Sequence, residues 1–147
     1  MRVCGVELKG AEAVLCLLDY KVESFYLPDC RQQSMPAPKI GETEATRKFY
    51  FAFQKLMEDY KVDHVVIIER HHKGKFAGSA ASFKLEALIQ LCEQDVSLIS
   101  PGTIKAQLKR NPPMADFDAM GLKKFQKPAF EAAYAFHNEQ IFGQPEE

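Results

Sequence analysis

The sequence predicts an α/β domain built on a mixed five-stranded sheet, three antiparallel strands and then alternating helix and strand, with helices on its flanks. Three observations lead there. Three short apolar segments near the start are separated by two tight turns. Over residues 42–60 the hydrophobic period then lengthens from two to between three and four. Finally, Val65-Val66-Ile67-Ile68 is an apolar run without alternation, the pattern of a strand buried on both faces beside a parallel neighbour.

The elements follow in order. Residues 3–8 form the first strand, Lys9-Gly10-Ala11-Glu12 a turn, residues 13–19 the second strand and residues 22–27 the third, a meander. Residues 28–41, with Pro28, Pro36, Pro38 and Gly41, read as a loop. In the helix over 42–60, Ala45, Phe49, Ala52, Phe53, Leu56, Met57 and Tyr60 share the dry face; Glu44, Arg47, Lys48, Lys55 and Glu58 are wet. Phe49, Tyr50, Phe51 and Phe53 could stack bases, but their spacing points to core packing or a dimer face. After the strand over 65–68 comes a helix over 79–93, which Ser79 can cap. A strand over 96–99 and a short helix from Pro101 through Leu108 follow. Residues 111–128 hold three prolines and read as a connection, and 129–142 form the last helix. With no repeat or linker, residues 1–147 are expected to make a single domain.

Composition narrows the function classes. Nineteen Lys and Arg against 20 Asp and Glu give a net charge of −1, which argues against coating nucleic acid by bulk charge and leaves only local patches. The longest apolar run, residues 13–18, is far below the roughly 18 residues of a membrane span, and no signal-peptide pattern opens the chain. A soluble, cytoplasmic protein without a membrane partner is expected. Cys4, Cys16, Cys30 and Cys92 lack the paired spacing of a zinc site and are expected as buried, reduced thiols. A hairpin turning about Gly10 would set Cys4 opposite Cys16.

Three acids stand where acids are costly. Glu7 lies near the end of the first strand, sharing a face with Val3 and Gly5; Glu69 ends the strand HVVIIE; Glu131 stands among small and apolar residues in PAFEAAYAF. If the first and fourth strands are adjacent and parallel, Glu7 and Glu69 end on one edge, and a last helix crossing it brings Glu131 to them. Converging carboxylates call for a hard divalent cation, Mg²⁺ or Mn²⁺. Two such ions can clamp the oxygens of a phosphodiester displacement. The alternative is that Glu7 and Glu69 sit in water at strand ends and Glu131 at a helix edge. Arg70, Lys73, Lys75 and Lys84 follow Glu69 without an intervening acid until after residue 84, and Lys105, Lys109, Arg110, Lys123, Lys124 and Lys127 make a second basic group. Beside an acid site such groups suit a polyanion; alone, each is ordinary solvated surface.

The element order, with an acid on the first strand and another ending the fourth, resembles the ribonuclease H-like fold, and within it the RuvC resolvases and their YqgF-type relatives. CGVELKG is similar to that family's G-I-D-x-G start, SPGTIKAQL to its segment with a Pro before a Val-Lys pair, and PAFEAAYAF to its acid-rich final helix. The chain is also similar to a small uncharacterised bacterial family of this fold. The resemblance implies a divalent-metal-dependent nuclease or resolvase-like phosphodiester hydrolase acting on DNA or RNA, as a homodimer. Glu7, Glu69 and Glu131 would be its catalytic metal ligands, and Arg70, Lys73, Lys75 and Lys105 its substrate contacts. Two departures stand out: the first acid is Glu where the family has Asp, and Pro128 takes the place of one acid of the last helix. They leave open a catalytically inactive module that binds a protein or nucleic-acid partner. A nucleotide-binding relative of the actin-like ATPases would need glycine-rich phosphate loops that the chain lacks.

Overall fold

The computed structural model of the chain describes residues 1–75, 77–113 and 115–143. β1 (Arg2–Lys9) and β2 (Glu12–Lys21) form a hairpin. Lys9 pairs with Glu12, so the turn is the two residues Gly10-Ala11, with Gly10 at φ +57. This register sets Cys16 opposite Gly5 and Cys4 opposite Leu17, one residue away from a turn centred on Gly10. Cys4 and Cys16 therefore enter opposite faces of the sheet, because side chains alternate along a strand. All four cysteines are free.

β3 is shorter than residues 22–27: it spans Ser24–Tyr26, since Val22 and Glu23 form the preceding turn at φ +49 and +61. A sixth strand, β4 (Ser34–Pro36), lies inside the expected loop and pairs with residues 12–14 of β2. Proline is tolerated there because the strand is three residues long and ends at it. α1 (Thr43–Asp59), β5 (His64–Ile68), α2 (Ala80–Gln90), β6 (Asp95–Ile99), α3 (Pro101–Arg110) and α4 (Lys127–Phe142) complete the chain. Ser79 and Ser100 cap α2 and α3 by accepting from the backbone N–H of Ser82 and Thr103 at 3.1 and 3.0 Å. The connection before α4 contains two 3-10 turns, Phe117–Met120 and Lys124–Gln126.

The sheet runs β3-β2-β1-β5-β6, with β4 also on β2; β1, β5 and β6 are mutually parallel. Val65, Val66 and Ile67 are fully buried, as an apolar run without alternation requires. Val65 and Ile67 pack with Cys4, Val6, Phe53, Leu56, Leu85 and Ile89 beneath α1 and α2. Val66 joins Val3, Cys16, Ile104 and the alanines of α4 on the other face. On α1, Phe49 and Phe53 are core residues and Phe51 is exposed. No helix among the described residues is long and apolar enough to cross a membrane.

Candidate functional site

The site is the edge where β1 and β5 end and α4 begins. Parallel pairing of β1 with β5 runs from Val3–His64 to Val6–Ile67, and on the other side of β5 the Glu69 N–H extends the ladder with β6 by donating to the Ile99 carbonyl at 2.8 Å. α4 lies against β1 in the opposite direction. His137 Nε2 is 2.8 Å from the carbonyl of Leu18, which pairs with Val3. Gln126 Nε2, just before the helix, donates to the carbonyl of Leu15, which pairs with Val6, at 2.9 Å. Gly5 makes this approach possible: a Cβ there would overlap the Ala129 carbonyl and lie 3.1 Å from the Ala133 Cβ. The first turn of α4 is thereby held over the end of β1 that carries Glu7.

Glu7 shares the α4 face of the sheet with Val3 and Gly5. Its Oε1 is buried and has no hydrogen-bond partner; the Lys9 ammonium stands 3.8 Å away, too far to donate. Burial pushes the Glu7 carboxyl above its ordinary pKa, and Lys9 offsets part of that rise. Glu131 is half-buried one turn into α4. Burial pushes its carboxyl up as well, with Lys127 acting in the other direction. Glu69 is exposed just beyond β5.

These three acids do not form the expected ready-made cage. Among the described residues, no three His, Cys, Asp or Glu side chains are grouped closely enough to hold a metal ion. Two physical reasons are visible. Glu131 lies two residues from Ala133, roughly 200° around the helix from the side chain nearest Gly5. At β5, alternation holds to the end of the strand: Val65 and Ile67 pack on the α1–α2 face, Val66 and Ile68 on the α4 face. Strand parity therefore places Glu69 with Ile67, so it approaches Glu7 round the end of the strand and not across one face.

The basic residues divide in two. Arg70 is committed to the scaffold, 3.0 Å from Glu86 and with its guanidinium 4.5 Å from the Phe83 ring centroid. His72 meets the same ring edge-on at 4.7 Å, so this loop is clamped onto α2. Lys73 and Lys75 are exposed in the loop, and Lys105 is exposed in the second turn of α3, which starts from the same edge. Ser79 Oγ donates to the Gly10 carbonyl at 3.4 Å, linking the basic loop to the β1–β2 turn beside Lys9. Sequence reasoning missed Gln126 and Lys9. Gly5, an interior strand glycine, was the signal for the helix contact.

The family described as "Protein of unknown function (DUF3010)" matches residues 1–136. None of the curated proteins matches the chain. Among solved structures, the chain is similar to Thermus thermophilus RuvC, with a TM-score of 0.72 and 11% identity over 98% of each chain. T. thermophilus RuvC in complex with its Holliday junction substrate gives a TM-score of 0.68 and 12% identity, again over 98% of each chain. The Fowlpox virus resolvase in its complex with Holliday junction DNA gives 0.58 and 12%, over 96% of this chain and 99% of the resolvase. At these identities the shared property is the fold: a ribonuclease H-like, RuvC-type α/β architecture.

Proposed function

Since the chain belongs to the DUF3010 family and has a RuvC-type fold, we propose that it is a divalent-metal-dependent phosphodiester hydrolase acting on nucleic acid, with Glu7 as its principal metal ligand. The observation that carries this reading is the buried Oε1 of Glu7, which makes no hydrogen bond and has the Lys9 ammonium 3.8 Å away. A buried carboxylate oxygen without a donor is destabilised as an anion, and a hard cation relieves it. Mg²⁺ commonly takes one or two carboxylates and completes its shell with water and phosphate oxygens, so three converging acids are not needed. Glu69, at the end of the neighbouring strand, is the second carboxylate in this reading; the helical phase of Glu131 leaves it out. When bound, such an ion polarises the phosphodiester and makes water acidic enough to attack near neutral pH. The chain's own cations do the remaining work: Lys73, Lys75 and Lys105 bind backbone phosphates on either side of the edge, and Arg70 holds the loop in place. The RuvC and Fowlpox virus resolvases bind Holliday junctions, which makes a four-way DNA junction the first substrate to test.

Mn²⁺ titration by calorimetry tests the proposal. Wild type should bind at millimolar or lower concentration, Glu7→Gln should not, Glu69→Gln should bind about tenfold more weakly, and Glu131→Gln should be unchanged. Junction, duplex and single-stranded DNA cleavage should fall with the same variants, and affinity for DNA should drop steeply with salt. A second reading, a fold that kept its shape and lost its chemistry, is favoured by the lack of a three-acid group among the described residues. Wild type that binds no Mn²⁺ at millimolar concentration would establish it.

A further inference from the structure

Glu7 and Lys9 are two residues apart on β1, so strand alternation sends both side chains to the α4 face of the sheet. The backbone register sets Lys9 opposite Glu12, yet the carboxylate its ammonium approaches is that of Glu7, at 3.8 Å. Among the described residues, Lys9 is also the cation whose charge acts on the Glu7 carboxyl.

The backbone beneath Lys9 is held, whereas its side chain can swing. Gly10, the next residue, sits at φ +57, and its carbonyl accepts from Ser79 Oγ at 3.4 Å. That bond ties the turn to the start of α2 and so to the basic loop before it. The Lys9 side chain is 60% exposed, against 21% for Glu7. At 3.8 Å, with no hydrogen bond to Oε1, the pair is a charge contact only. A lysine on its flexible four-carbon stem leaves such a contact at little cost.

The ammonium therefore stands where a buried carboxylate oxygen calls for a cation. With metal–oxygen distances of about 2.1 Å, a dication on Oε1 would lie within about 6 Å of an ammonium that stayed in place, close enough for strong repulsion. One of the two has to leave, and the lysine has solvent to swing into. Outward from Glu7 it joins the edge that also carries Lys73 and Lys75.

We propose that Lys9 is a built-in substitute for the metal: its ammonium balances Glu7 while no cation is bound, and in the loaded site it turns instead to a backbone phosphate of the nucleic acid. This rests on the Glu7 metal site and the nucleic-acid substrate proposed above, and it makes Lys9 the residue that couples them. Nucleic acid that draws Lys9 away tightens metal binding, and by linkage the metal tightens nucleic-acid binding.

Mn²⁺ calorimetry and DNA binding in EDTA test the two halves of this exchange. Lys9→Gln should bind Mn²⁺ about fivefold more tightly than wild type, the weight of one partly exposed ion pair. Lys9→Arg, which keeps the charge, should match wild type. So should Lys21→Gln, which removes an exposed charge at the far end of β2. In EDTA, Glu7→Gln releases Lys9 without metal, so the slope of log affinity against log salt for duplex DNA should steepen by about one. The same substitution added to Lys9→Gln should leave that slope unchanged. Mn²⁺ affinity in Lys9→Gln no higher than in wild type, or a wild-type slope that Glu7→Gln does not alter, would overturn the role of Lys9. The metal site itself would still stand if wild type bound Mn²⁺ and Glu7→Gln did not. Mn²⁺ bound by neither wild type nor Lys9→Gln would remove both.

Discussion

Glu7 and Asp19 give the chain two pH dependences of opposite sign. Burial raises the Glu7 pKa in the folded state, so its contribution is fully favourable below the unfolded value of about 4.3 and is lost as pH rises through the folded one. At neutral pH the ionised group is thus a liability, and Glu7→Gln should raise the metal-free Tm. Saturating Mn²⁺ should raise the Tm of wild type and not of the variant, as scanning calorimetry would show. At Asp19, fully buried, desolvation pushes the pKa up, but hydrogen bonds from Arg2 and Tyr26 outweigh it and the net shift is downward. Arg2 grips the carboxylate through Nε and Nη2 at 2.8 and 3.1 Å. That stabilisation is present above the unfolded value of about 3.9 and is lost as pH falls through the folded one. Asp19→Ala strips Arg2 of its carboxylate, leaving its hydrogen bond to the Tyr60 carbonyl, and should cost about 3 kcal/mol in urea denaturation at pH 7. A loss below 0.5 kcal/mol would mean that the pair is no more than a surface contact.

At the scale of elements, the contact between α4 and β1 is set by one missing side chain. Gly5→Ala drives a methyl into the Ala129 carbonyl, which belongs to a helix backbone and cannot swing aside. The expected loss is about 3 kcal/mol, with weakened near-ultraviolet dichroism from the aromatic residues packed by α4. The β2–β3 turn offers the converse. Val22 is β-branched, 96% exposed and held at φ +49, where Asn or Gly belongs. Replacing Val22-Glu23 by Asn-Gly should stabilise the chain by about 1 kcal/mol, read as a higher urea midpoint. Elements with a clean period were legible: the apolar run became β5, and Phe49, Phe53, Leu56 and Met57 became the dry side of α1. β4 was not, because its three residues include Pro36 and its strand character comes from lying beside β2 rather than from any pattern of its own.

For the molecule as a whole, the order of elements was enough to identify the fold, since alternating helix and strand after a meander admits few arrangements. The same order put Glu7, Glu69 and the start of α4 on one edge. It could not give the azimuth of a side chain on a helix or the direction of a residue just past a strand's end, and those two angles decide whether three acids meet. Sequence spacing located the neighbourhood; helical phase and the alternation of β5 set its members apart.

The last helix packs over the middle of a sheet whose central strand lies more than 100 residues earlier in the chain. Val3, Cys16, Leu18 and Val66 have their apolar side closed mainly by residues 129–136. During translation that surface stays bare until residues 129–136 have left the ribosome, so a nascent chain stalled before them would present a sticky, strand-rich slab to chaperones. Docking of that helix is what closes it.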